Sequence, residues 1–292
     1  MNKAKVYFTR QITPQSLIAI YEKLEKQLSG RIGVKISTGE AGGHNYLKPE
    51  LIGDLVKKLN GTIIECNTAY AGRRNTLSEH LKVVEEHGFT KIAKVDIMDA
   101  TSEFEIPVAK GKHLDVDIVG GNLKNYDALL NLAHFKGHMM GGFGGVLKNQ
   151  SIGVASSAGK AYIHTAGATR DVNELWGKLP AQNDFLESMA EAAEAVADYM
   201  KGNIVYIDVM NNLSIDCDCD SNPEAPCMED IGILASIDPV AVDQACIDMI
   251  WNSQDKGRDH FIERVERQNG RHILPYAESL GLGSREYELI EF

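Results

Sequence analysis

Between His134 and His164 the chain reads HFKGHMMGGFGGVLKNQSIGVASSAGKAYIH. Three histidines, His134, His138 and His164, share this stretch with Lys148 and a run of glycines. Imidazole is the common general base near neutral pH and a frequent metal ligand. A lysine ammonium anchors anions as a compact point charge. Gly141, Gly142, Gly144 and Gly145 open backbone conformations closed to other residues and let a ligand approach the main chain. VLKNQSIGVA can then start a helix whose free N–H groups would attract an anion. The spacing is not that of a Walker phosphate loop, and a phosphate cradle alone leaves the histidines unexplained. His138, Lys148 and His134 are therefore the candidates for catalysis. Lys148 and the four glycines are candidates for holding a cofactor or anion.

A second cluster lies in SIDCDCDSNPEAPC, where Cys217, Cys219 and Cys227 alternate with Asp216, Asp218 and Asp220. Thiolates beside carboxylates suit Zn²⁺ or part of an iron–sulfur cluster, which usually takes four cysteine or histidine ligands. Cys66, at the end of another strand, is the candidate fourth ligand. The metal candidates are thus His164, Cys217, Cys219 and Cys66, with reversible disulfide formation as the other use of such close thiols. In ECNTAYAGRRNT, Asn67 and Arg73 are candidates for cofactor contact. Arg73 and Arg74 both offer forked donors for a carboxylate or phosphate, and one of them is expected to face the site. Glu40 and His44, in TGEAGGHNYLKP, are further acid–base candidates. His80, His87, His113, His260 and His272 sit in helical or surface contexts and read as structural, as does Cys246.

The elements that must position these residues alternate strand and helix. KVYFTR, RIGVKIS, GTIIEC and KIAKVDI read as strands. Between them lie helical patterns from about Pro14 to Leu28, from Pro49, and around Leu77, Leu81 and Val84, the last stopping at Gly88. FEIPVA and LDVDIVG are short strands, and YDALLNLAHF is a buried one. DFLESMAEAAEAVADYMKG repeats Phe185, Met189, Ala193, Val196 and Met200 along one helical face, which is core packing. NIVYIDVM and IGILAS follow as strands, and DPVAVDQACIDMIW is a helix with Asp238 as N-cap and Pro239 in its first turn. The expected fold is α/β: a mostly parallel sheet with crossover helices, in two lobes spanning residues 1–115 and 116–292, with the site between them. Ligands in such sheets sit at the carboxyl ends of the strands.

At 292 residues the chain can bury a substantial core, and 43% apolar with 24% charged residues is the composition of a folded protein. The formal charge of −11 argues against a general nucleic-acid binder. MNKAKVYFTR has no apolar run of signal-peptide length, and no segment nears the roughly 20 apolar residues of a membrane span. The expected compartment is the cytoplasm, without membrane or nucleic-acid partners.

The stretches YLKPELI, ECNTAYAGRRNT, EEHGF, VDIMD, HFKGHMMGGFGGVLKNQSIGVAS, GKAYIHTAG, CDCD and DIGILASIDPVAVDQAC resemble the domain-of-unknown-function family numbered 362 over about residues 36–250. Many members of that family carry ferredoxin-like iron–sulfur modules between the HTAG stretch and the long helix. Residues 166–184 here contain no cysteine, so that module is absent and its electron transfer is not inherited. HMMGGFGGVLKNQSIGVAS followed by IH also resembles the active-site segment of the nickel-pincer lactate racemase family. That likeness implies proton transfer at His138, a cofactor tether at Lys148 and a nickel ligand at His164, with Ile152-Gly153 replacing the usual Pro-Gly. The expected function is a metal- or cofactor-dependent protein, an enzyme acting on a small anionic ligand. The alternatives are a metal- or iron–sulfur-holding module for a redox partner protein and a phosphate or nucleotide binder.

Overall fold

The computed structural model describes residues 3–292. Strands β1 (Ala4–Thr9), β2 (Ile32–Lys35), β3 (Thr62–Glu65) and β4 (Val95–Ile97) alternate with helices α1 (Pro14–Lys23), α2 (Pro49–Lys58) and α3 (Leu77–Glu86). A two-stranded antiparallel flap, β5 (Glu103–Pro107) and β6 (Val116–Gly120), precedes the central strand β7 (Ala128–His134). A small hairpin, β8 (Lys136–His138) and β9 (Gly142–Gly144), leads into helices α4 (Val146–Val154), α5 (Ser157–His164) and α6 (Gln182–Tyr199). Strands β10 (Ile204–Met210) and β11 (Gly232–Ser236) are followed by helices α7 (Pro239–Asn252), α8 (Arg258–Arg267) and α9 (Ile273–Leu280), then strand β12 (Tyr287–Glu291).

Eight strands form one sheet in the order β12-β1-β11-β10-β7-β2-β3-β4. All its pairings are parallel except β1 with β11 and β10 with β11. The sheet is therefore mostly parallel, and it takes strands from both sides of residue 115. Because successive side chains point to opposite faces, the sheet separates two apolar layers. Val6, Phe8, Ile64, Leu129 and Leu234 pack into one layer with α4, α6 and α7. Tyr7, Val34, Ile63, Leu130 and Val205 pack into the other with α1 and α2. Strands covered on both faces read as near-continuous apolar runs, which is how β7 and β10 look in sequence.

Two elements differ from the sequence expectation. Helix α1 stops at Lys23 because Leu24 turns extended and the Leu28 N–H is satisfied by the Tyr21 hydroxyl at 2.8 Å. Leu24 and Leu28 are buried in the loop instead of on a helix face. In KIAKVDI only Val95–Ile97 pairs, since left-handed Gly88 (φ 87°) starts a helical turn over Phe89–Lys91. Asp238 caps α7 as its position implied, accepting the Val240 and Ala241 N–H groups at 2.9 Å. No helix among the described residues is long and apolar enough to cross a membrane.

Candidate active site and metal-ligating cluster

Strands β3, β2, β7 and β10 are consecutive parallel neighbours. The loops leaving their carboxyl ends, residues 66–76, 36–48, 135–145 and 211–231, therefore emerge at one edge of the sheet. They enclose a cleft of about 540 Å³ lined by Glu40, Tyr70, His138, Lys148, His164 and Cys217, among others. That volume suits a small-molecule ligand. Met139 and Trp176 also line the cleft, each 57% exposed.

At one wall, a ring nitrogen of His138 and the sulfurs of Cys217 and Cys219 lie within 4.8 Å of one another. Lys148 Nζ donates to Cys217 Sγ at 3.5 Å, and the Cys219 N–H approaches the same sulfur at 3.5 Å. The Cys219 thiol, Lys148 and His138 together hold the Cys217 thiol well below its usual range, against the burial that would raise it. The hydrogen bond to Cys217, burial and the Cys217 charge in turn raise the Cys219 thiol. Burial would lower the Lys148 ammonium, but Cys217, Cys219 and Asp218 outweigh it and raise it.

Cys217, Asp218 and Cys219 belong to one tight turn, closed by the Asp220 N–H on the Cys217 carbonyl at 2.9 Å, and both sulfurs line the cleft. Asp218 points away from the cleft, and its carboxylate meets His134 Nδ1 at 2.8 Å and Lys136 Nζ at 3.2 Å. Its carbonyl accepts the Glu40 N–H at 2.7 Å. The middle residue is thus pinned at its carboxylate and its carbonyl, while the flanking cysteines line the cleft. Sequence reading named Asp218 only as one of several acids beside the thiols.

Hydrogen bonds also fix the two histidine tautomers. His138 Nδ1 accepts the Gly141 N–H at 2.8 Å and the Met140 N–H at 3.3 Å, so the neutral ring carries its proton on Nε2. His164 is the reverse: its Nδ1–H donates to the Lys160 carbonyl at 2.7 Å, leaving Nε2 with a free lone pair. Such a carbonyl partner is the usual support of a metal-ligating imidazole. Burial, helped by nearby His138, Lys148 and Lys160, lowers His164 to about 4, against the pull of the Lys160 carbonyl, so the ring is neutral near pH 7.

The glycines serve the protein's own packing. A Cβ at Gly145 would strike the Asp243 carboxylate, which accepts the Val146 and Leu147 N–H groups at 2.8 and 3.1 Å. The amino end of α4, expected from sequence to attract an anion, is thus capped by an internal one. Gly142 holds a left-handed φ of 80° against Gly270 and Val265. Gly141 and Gly144 sit beside His138 and Lys136.

Gly137 has a separate use. Its N–H donates to the Ser214 carbonyl at 2.8 Å, and a Cβ there would run into the Ile215 backbone. Only glycine lets β8 lie this close to the cysteine loop. Gly137→Ala is expected to push the loop away, costing about 1–3 kcal/mol as an overpacked contact does. Urea denaturation measures the loss, and thiol reactivity at Cys217 should change with it.

The remaining candidates are spread more widely. His134 has both ring nitrogens against oxygen acceptors, Asp218 and the Asn211 carbonyl, and so offers no lone pair to the cleft. Cys66 is buried outside the thiol cluster, with its sulfur 3.2 Å from the Val154 carbonyl. Asn67 binds Asp99 and His80. Arg73 lines the cleft mouth but spends its guanidinium on Glu79 and Glu86. Arg74 is the buried arginine, paired with Glu65 at 3.2 Å and Glu40 at 3.5 Å. His44 is exposed, and Cys227 contacts the Leu213 carbonyl.

These features define a layered α/β protein with a thiol, imidazole and lysine cleft at the carboxyl edge of its sheet. The chain belongs to the family described as domain of unknown function (DUF362), whose model matches residues 32–248. No curated protein matches the sequence. Among solved structures, the chain is similar to the lactate racemase apoprotein from Thermoanaerobacterium thermosaccharolyticum, at 10% identity and a TM-score of 0.49. That alignment covers 84% of this chain and 56% of the other. It is also similar to a protein from Thermotoga maritima, at 15% identity and a TM-score of 0.45, covering 80% and 57%. The chain thus spans little more than half the length of either structure.

Proposed function

We propose that the protein is a metal-dependent enzyme acting on a small anionic substrate. Cys217 and Cys219, with His138, would hold a thiophilic ion at the cleft wall, and Lys148 would receive the anionic end of the substrate. The observation that carries this reading is the meeting of His138, Cys217 and Cys219, from loops some 80 residues apart, beside a lysine in a cleft of ligand size. Two cysteines and a histidine with an open fourth position are a known catalytic donor set for zinc. An ion there would supply Lewis-acid polarisation of a substrate oxygen. The fit has one condition: binding at His138 Nε2 displaces the proton that Gly141 and Met140 direct there, so metal affinity should rise with pH.

One observation favours a second reading, a nickel cofactor tethered at Lys148. His164 lines the same cleft and presents an unprotonated Nε2 on a ring oriented by the Lys160 carbonyl. A metal-holding module for a redox partner protein would use the same donors without turning over a substrate.

Anaerobic purification followed by metal analysis by mass spectrometry separates these readings. Stoichiometric metal is expected in the native protein, at least about 100-fold weaker binding in the Cys217→Ser/Cys219→Ser variant, and a smaller loss in His164→Ala. Metal kept by the cysteine variant and lost in His164→Ala would move the centre to the second reading. No metal in the native protein, even after reconstitution, would overturn both.

A further inference from the structure

We infer that Cys217 and Cys219 are also a site of oxidative modification: in the metal-free protein, hydrogen peroxide closes them into an intramolecular disulfide that excludes the metal. The exclusion of metal rests on the reading proposed above; disulfide closure does not.

Five cysteines are free, and only Cys217 and Cys219 line the cleft. Cys66 and Cys246 are buried, near the Val154 carbonyl and the Asp208 carboxylate. Cys227 is turned toward the Leu213 carbonyl. The two cleft sulfurs already lie within 4.8 Å of each other. Both belong to one turn, closed by the Asp220 N–H on the Cys217 carbonyl at 2.9 Å, whose middle residue Asp218 is held by His134 and Lys136. Cys217 has the ammonium of Lys148 at 3.5 Å, and His138 stands beside it with its ring proton on Nε2.

These groups fit a two-step oxidation. The Cys217 sulfur attacks one peroxide oxygen, forming an S–O bond and breaking the O–O bond. The departing hydroxide takes a proton from Lys148 or His138 and leaves as water. The Cys219 sulfur then attacks the sulfur of the Cys217 sulfenic acid, forming S–S and breaking S–O, and the second hydroxide leaves as water with the Cys219 proton. Solvent returns the proton lent in the first step. Two thiols and one peroxide become one disulfide and two waters. The product has no free thiol at either position, and Lys148 loses its sulfur partner.

The test treats reduced, metal-free, full-length protein with one equivalent of peroxide and follows intact mass, thiol count and metal binding. The expected product is lighter by about 2 Da, has lost two thiols, maps to a 217–219 link and regains both thiols with dithiothreitol. Its metal occupancy should fall at least about tenfold. Cys227→Ser should behave as the native protein does, and Cys219→Ser should stop at a sulfenic acid that dimedone traps. Oxygen addition without thiol pairing, or a link to Cys227, would overturn the inference. A 217–219 disulfide in a protein that never binds metal would sink the metal reading alone. Metal binding without that disulfide would sink only the inference.

Discussion

Asp218→Ala is expected to destabilise the protein by about 3–5 kcal/mol, because it leaves the buried Lys136 ammonium without its carboxylate. His134 loses its 2.8 Å partner in the same step. For a chain of this size the loss corresponds to a fall in melting temperature on the order of 10 °C. Calorimetry on Asp218→Ala and Asp218→Asn measures it. The asparagine keeps an oxygen for His134 and should lose less. Burial alone would raise the Asp218 carboxyl, but His134 and Lys136 outweigh it and hold the group below its usual range. The stabilisation is therefore present above the unfolded carboxyl range near pH 4 and is lost as pH falls through the lower folded value. Because Asp218 sits between the two thiols, metal occupancy should fall as well. A variant with unchanged stability and unchanged metal would remove Asp218 from its place as the pin of the site.

Asp117→Asn should have the opposite sign. Asp117 lies on β6, fully buried, with neither carboxylate oxygen in a well-formed hydrogen bond. Burial raises it from 3.8 to about 8, and the Ile118 N–H and Lys160 only partly offset that. A folded value above the unfolded one means that the native state binds more protons, so stability declines as pH rises from about 4 to about 8. The ceiling on that decline is about 6 kcal/mol across the window. Asparagine removes the titration while keeping the shape. Its melting temperature should match the native protein's most closely near pH 4 and exceed it increasingly up to pH 8 or 9. Parallel melting curves that keep a constant offset across this range would show that Asp117 has no such cost.

Much of the fold was legible because it follows from local rules. Alternating strands and helices imply parallel pairing, and β1 to β3, β7, β10 and β11 lie where the apolar runs place them. The early end of α1 was not legible. There Leu24 turns extended and the Leu28 N–H bonds the Tyr21 hydroxyl seven residues back, a side-chain contact that helix periodicity does not encode. At the site, the sequence marked His138, Lys148, His164, Cys217 and Cys219 by residue type, and all five line one cleft. It could not distinguish them from Cys66 or His134, whose types are equally suited to chemistry but whose atoms are spent elsewhere.

The sequence by itself determined the chemical inventory and the sheet. The thiols, imidazoles and lysine are written in two short segments, and the strand pattern brings those segments to one edge because β7 and β10 run parallel as neighbours. Only the tertiary structure decided which atoms are free to act. Gly141 and Met140 place the His138 proton, Lys160 frees the His164 lone pair, Asp218 pins the turn that carries the two sulfurs, and Asp243 occupies the helix end that an outside anion would have needed. Each of these is a contact between backbone or side chains whose partners are set by the packing of loops. A hydrogen bond commits a donor or a lone pair only when its partner arrives, and no local pattern in the chain records that arrival.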